Sequence, residues 1–148
     1  MEEKIKSEND KKKEYLGKYL GHVRKINRIE LELKEVRTMS ASISVNNDGM
    51  PHSSGQSDLS GYAAELDRLE RDLMEERTER IIAYKDIAKR IKKIKIENEM
   101  DVLFYRYIAG LDWWEIAEKI GYSERQVHRY HGKALAHFEI PKDVIECQ

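Results

Sequence analysis

Asp112-Trp113-Trp114-Glu115-Ile116-Ala117-Glu118-Lys119-Ile120-Gly121-Tyr122-Ser123-Glu124-Arg125-Gln126-Val127 is the stretch that decides the fold. Asp112 followed three residues later by Glu115 has the form of a capping box at a helix N-terminus, although Ser or Thr more often takes the first place. Ser123 followed by Gln126 is a second such box. Ile116, Ala117 and Ile120 give the first helix an apolar face. Gly121 stops that helix and permits a tight turn. Val127, Tyr130, Ala134 and Leu135 give the second helix its inner face. The small Ala117 suits a close helix crossing, and Val127 anchors the second helix one turn in. Two capped helices joined by Gly121-Tyr122-Ser123 form the pattern of a helix-turn-helix, whose second helix enters the major groove of DNA N-terminus first.

That placement turns Ser123, Glu124, Arg125, Gln126, His128, Arg129 and Lys133 outward as candidate DNA contacts, with Tyr130 at the edge. Arginine bonds guanine O6 and N7 with both arms, and glutamate accepts from cytosine N4. The open N–H groups from Ser123 to Gln126 suit a phosphate. Upstream, Met100, Leu103, Phe104, Tyr107 and Ile108 line a further helix that Gly110 ends. Downstream, Pro141 discourages extension. Gly132 lies inside the last helix and costs it about 1 kcal/mol relative to Ala. Trp113 is expected to be half-buried. Trp114 points about 100° away and is expected at the edge of the core or on a partner surface.

Working back along the chain, Leu16, Tyr19, Leu20, Val23, Ile26, Ile29, Leu33 and Val36 recur at steps of three and four, which predicts a helix over 10–37. Residues 39–57 lose that stripe and read as a flexible linker rich in Ser, Asn and Gly. Ser57 or Asp58 caps the next helix. Its seam runs through Leu59, Tyr62, Leu66, Leu69 and Leu73, and resumes at Ile81, Tyr84, Ile87, Ile91 and Ile94. The two stripes predict an antiparallel helical hairpin, or a coiled coil that zips onto a second copy in a homodimer. The expected fold class is all-α: residues 1–96 as a helical hairpin or coiled-coil region with its linker at 39–57, and residues 97–140 as a helix-turn-helix DNA-binding domain.

The 148 residues carry a net charge of −1, and 37% of them are charged. Residues 97–148 hold 6 basic and 10 acidic residues, so DNA affinity from this module alone should be modest. Lys89, Arg90, Lys92 and Lys93 belong to a basic run that ends the second long helix. They are candidate phosphate contacts, or else a solvated face that favours a helix C-terminus.

Other functions find little support in the residues. No run reaches the roughly 18 apolar residues of a membrane span, and the charged first ten residues are not those of a secretory signal. A single cysteine, Cys147, excludes an internal disulfide framework, which fits the cytoplasm. His128 and His131 share a helix face at a metal-compatible spacing, but no Cys or carboxylate cluster completes a site. No Gly-rich phosphate loop or nucleophile triad is present, and the glutamates, Glu75 and Glu76 included, read as solvated. Neither an enzyme nor a cofactor is expected.

The stretch Tyr107-Ile108-Ala109-Gly110-Leu111-Asp112-Trp113-Trp114-Glu115-Ile116-Ala117 through Ser123 and Val127, with the closing Lys133-Ala134-Leu135, resembles region 4 of bacterial sigma factors. It is especially similar to the ArpU-type late transcription regulators of Gram-positive phages and prophages. The resemblance covers roughly residues 100–138, about a quarter of the chain. It implies that Glu124, Arg125, His128 and Arg129 touch double-stranded DNA, that the protein regulates transcription as an activator of a late operon, and that it acts with RNA polymerase. Two rivals remain. One is a small-terminase-like packaging protein, in which the DNA module usually comes first rather than last. The other is a structural coiled-coil adaptor that uses the motif as a helical corner.

Overall fold

The computed structural model describes residues 2–45 and 53–143, with side chains described for 7–43 and 60–143. These residues are all-helical: α1 (Glu2–Leu16), α2 (Lys18–Val45), α3 (Ser53–Ile91), α4 (Glu97–Tyr107), α5 (Trp113–Ile120) and α6 (Glu124–His137). None of the described helices is long and apolar enough to cross a membrane. Cys147 lies outside the described residues.

The chain divides into two compact units, Met1–Gly21 with Ile81–Gln148, and His22–Arg80. The expected boundary between 96 and 97 is therefore not where the chain divides. The unit that carries α4, α5 and α6 also takes in α1 and the end of α3. Its larger core gathers Tyr15 and Leu16 from α1, Ile87 and Ile91 from α3, Leu103 from α4, and Ala134 and Leu135 from α6, with Phe138 and Ile140 beyond them. Leu16 is 0% exposed. The Tyr15 and Phe138 rings lie 6.3 Å apart. Lys12 is buried and donates from Nζ to the Leu135 carbonyl at 2.7 Å, which occupies one of the open acceptors in the last turn of α6. A smaller cluster of Val102, Ile116, Ala117 and Val127 joins α4, α5 and α6.

The other unit pairs α2 with α3. Ile26, Ile29 and Leu33 pack on Leu69 and Leu73, flanked by Val36 and Leu66. Ion pairs Glu30–Arg77 (3.3 Å) and Arg37–Glu70 (3.1 Å) link the helices. The rising number on one helix meets the falling number on the other, so the pair runs antiparallel. Both bridges are largely exposed and contribute at most about 1 kcal/mol each.

Three expectations change. The helix read over 10–37 is divided at Gly17, where helical bonding nonetheless continues from Gly17 N–H to Lys13 O (2.9 Å) and from Gly21 N–H to Gly17 O (3.0 Å). The linker expected over 39–57 is helical at both ends, since α2 reaches Val45 and α3 starts at Ser53, ahead of the expected caps at 57 and 58. Residues 46–52 lie outside the described residues. The physical reason at the first end is visible. Thr38, Ser40 and Ser42 donate their hydroxyls back to Lys34, Arg37 and Thr38 carbonyls (2.8, 3.0 and 3.1 Å), so they satisfy themselves along the helix instead of breaking it. Finally, Ile81 leaves the expected seam and is exposed, because the face of α3 that enters the core is Ala83, Ile87 and Ile91 at steps of four.

Replacing Leu16 by Ala should cost about 2–5 kcal/mol of stability, as a fully buried leucine does when its site cannot collapse. Urea unfolding followed by circular dichroism reads it. A loss below about 0.5 kcal/mol, the range of surface changes, would detach α1 from this core.

Candidate nucleic-acid interface

The α5–α6 pair is built by its caps and its turn. Glu115 Oε2 accepts from the Asp112 N–H at 2.9 Å and fixes the start of α5. Gly121 adopts φ 75°, ψ 34°, the left-handed region, where any side chain would be strained. Its N–H and that of Tyr122 both return to the Ala117 carbonyl (3.0 and 3.1 Å), which closes the helix. Ser123 is extended (φ −71°, ψ 156°), and its Oγ accepts from the Gln126 N–H at 3.2 Å, while Gln126 Oε1 accepts from the Ser123 N–H at 3.4 Å. Both halves of this capping box are thus made, and they set the direction in which α6 leaves the turn.

Along α6, Val127, His131, Ala134 and Leu135 are buried, while Ser123, Glu124, Arg125, Gln126, His128, Arg129 and Lys133 are exposed. Arg125 and Arg129 are one turn apart and share a face. Among the described residues, none forms an ion pair with Arg125, Arg129 or Lys133. Gly132 continues that face, and α6 runs through it to His137. A side chain at this position would meet nothing within 4 Å of its Cβ.

Three of the seven outward positions have internal work. Ser123 and Gln126 are both engaged in the cap. His128 lies against Trp113, ring centroids 4.4 Å apart. Trp113 is half-buried, receives the Arg106 guanidinium over its face at 4.4 Å, and meets His131 in a T-shaped contact with ring centroids 4.8 Å apart. Trp114 is 52% exposed, more than a core edge would be.

His131 takes an inner-face place that its residue type did not announce. Its Nε2 shares a 2.8 Å hydrogen bond with the Tyr107 hydroxyl. Burial first, then the positive charges of Lys13, His128 and Arg106, push its pKa down to about 4. Burial pushes the Tyr107 phenol up to about 12, with Arg106 opposing. His131 is therefore a neutral core residue, and its Nε2 is engaged by Tyr107. Among the described residues no group of three metal-ligating side chains occurs.

The basic run is mixed in character. Lys89, Lys92 and Lys93 are exposed. Arg90 is not free. Its Nε pairs with Asp86 at 3.1 Å and its Nη1 donates to the Glu139 carbonyl at 3.2 Å, so it braces the segment after α6. With Lys93, His137 and Glu139 it lines a cleft of about 230 Å³.

The expectation that all the glutamates are solvated fails twice. Glu99, on α4, is 1% exposed and its Oε2 lies 2.7 Å from His137 Nδ1. Glu76, on α3, is buried, with Lys25 Nζ and His22 Nδ1 each at 2.8 Å. The bonds from Lys25 and then His22 hold the Glu76 carboxyl below its ordinary pKa, although burial opposes them. No spacing in the sequence separates these two carboxylates from their solvated neighbours, because their partners lie 38 and 54 residues away.

No protein-family model, curated protein or solved structure matches the chain.

His131 gives the unit a pH dependence of definite sign. In the unfolded chain it takes a proton near pH 6.5, and in the fold only near 4. The unfolded state thus binds more protons between those values, so stability is full above about 6.5 and falls as the pH drops toward 4. The expected loss is about 3 kcal/mol at most. Thermal melts of the wild type and of His131→Phe across this range check it. The difference between them should shrink as the pH falls, and a pH-independent difference would contradict a neutral His131.

Proposed function

We propose that this protein is a sequence-specific regulator of transcription that binds double-stranded DNA with the N-terminal half of α6 in the major groove. One observation carries the proposal. The helix is anchored along a continuous inner face while Glu124, Arg125, Arg129 and Lys133 stay exposed on the other, with no ion pair to any described residue. Arginines left free on a rigid helix are suited to bidentate bonding of guanine, and the unpaired N–H groups past Ser123 are suited to a phosphate. The two capped helices and the left-handed glycine between them support a helix-turn-helix. The likeness of residues 100–138 to sigma factor region 4 and to the ArpU-type regulators adds the further expectation of a phage or prophage late operon, activated together with RNA polymerase in the cytoplasm. Lys89, Lys92 and Lys93 serve as phosphate contacts in this proposal, and Arg90 as their support. A homodimer would present two copies of α6 to half-sites related by a two-fold axis.

Selection of bound duplexes from random sequence, followed by anisotropy titration, tests the proposal. Arg125→Ala and Arg129→Ala should each weaken the selected site by about 1–3 kcal/mol and relax its sequence preference. Lys89→Ala, Lys92→Ala or Lys93→Ala should weaken all duplexes alike, each lowering the salt slope by about 1. Unchanged affinity in both arginine variants removes base reading by α6. Failure to select any duplex, even at low salt, removes DNA binding itself.

A further inference from the structure

We propose that the α2–α3 hairpin binds a second copy of this chain through the face that carries Met74. Within the hairpin, a groove of about 390 Å³ opens between the helices on this face, floored by Leu33 and Leu73. Met74 stands on its rim and is 69% exposed. An unbranched thioether side chain adapts to irregular apolar gaps. A knob and a hole that suit each other thus occur side by side on one surface, which is the requirement for a self-complementary contact.

The charges around the groove narrow the choice of partner to the chain itself. Its four corners are Glu30 and Arg77 at one end, and Arg37 and Glu70 at the other. Each end carries one acid and one base, and their order is reversed between the ends: the acid is on α2 in the first pair and on α3 in the second. Turned over about a two-fold axis that lies in the plane of the face, along or across the helices, every acidic corner meets a basic corner of the partner. An unrelated protein would need the same alternation by chance, whereas a copy carries it by construction. The described length of α2 in this unit, residues 22–43, spans ~30 Å, and two helices side by side span ~20 Å. A covered face of roughly 600 Å² per copy approaches the ~800 Å² per partner of a stable specific interface. The resulting contact is a four-helix packing in which Met74 seats over the partner's Leu33 and Leu73.

This contact stands apart from DNA binding, and its test uses no DNA. Sedimentation equilibrium of the full chain should give a dimer that shifts toward monomer as salt rises, because the corner charges are exposed and screened. Met74→Glu should raise the dissociation constant roughly tenfold or more, as loss of a central apolar anchor does. Helix content by circular dichroism should stay as in the wild type, since Met74 packs little in the monomer. A second variant, Leu31→Glu, changes an apolar residue that is 60% exposed and does not line the groove, and it should leave the dimer intact. A wild-type chain that stays monomeric at the highest attainable concentration overturns the proposal, as does a dimer that ignores Met74→Glu or breaks with Leu31→Glu. If DNA binding fails while the dimer holds, or the reverse, the two proposals separate cleanly.

Discussion

Helix α6 has to be held on one side only. Its 14 residues alternate between Val127, His131, Ala134 and Leu135, which are buried, and a strip of polar side chains that are not. Isolated helices of this length are marginal in water, so the rigidity of the outer strip derives from the contacts of the inner one. Three elements provide them. α5 meets the helix near its start, at Ala117 and Val127; α4 lies along it; and α1 fixes its far end, where Lys12 occupies the Leu135 carbonyl. The caps at Asp112 and Ser123 set where the two helices begin, but this three-sided packing holds α6 with its outer strip exposed.

The local features of this arrangement were legible in the sequence because they are written at short range. Capping boxes span three residues, a left-handed turn needs a glycine at one position, and an apolar stripe repeats every three to four residues. Gly121, Ser123 and Val127 therefore sit as expected, and so does the all-helical class. The features that were not legible depend on partners far away in the chain. Nothing near Lys12 marks it as a residue whose ammonium will be buried against residue 135. Spacing shows that His128 and His131 share a helix face, but not that His131 will be buried and bonded by Tyr107 while His128 stays exposed. The first end of the expected linker is helical for a different reason. Serine and threonine disfavour helix interiors when their hydroxyls compete for the backbone, yet in α2 those hydroxyls are turned back onto carbonyls of their own helix.

The two buried carboxylates illustrate the same division. Glu76 interrupts an apolar seam, and Glu99 falls within a helix whose other buried residues are Val102 and Leu103. Each is matched by a histidine, and Glu76 by a lysine as well. Removing such a partner leaves a charge in a poorly solvated place, which costs far more than the pair itself contributes.

The hydrogen bond between Lys12 and Leu135 closes a span of 123 residues. Its consequence concerns the order in which the molecule forms. The hairpin of residues 22–80 draws on neighbours in sequence and can assemble while the rest is still being made. The unit containing α6 needs a residue near the start of the chain and one near position 135 at the same moment. Contacts between such distant residues must overcome a closure entropy before they return any stabilisation, and folds dominated by them mature slowly. A hairpin that forms first brings residues 21 and 81 together and shortens that search. Closure of the remaining loop between residues 12 and 135 then costs less entropy than closure across the full 123 residues would.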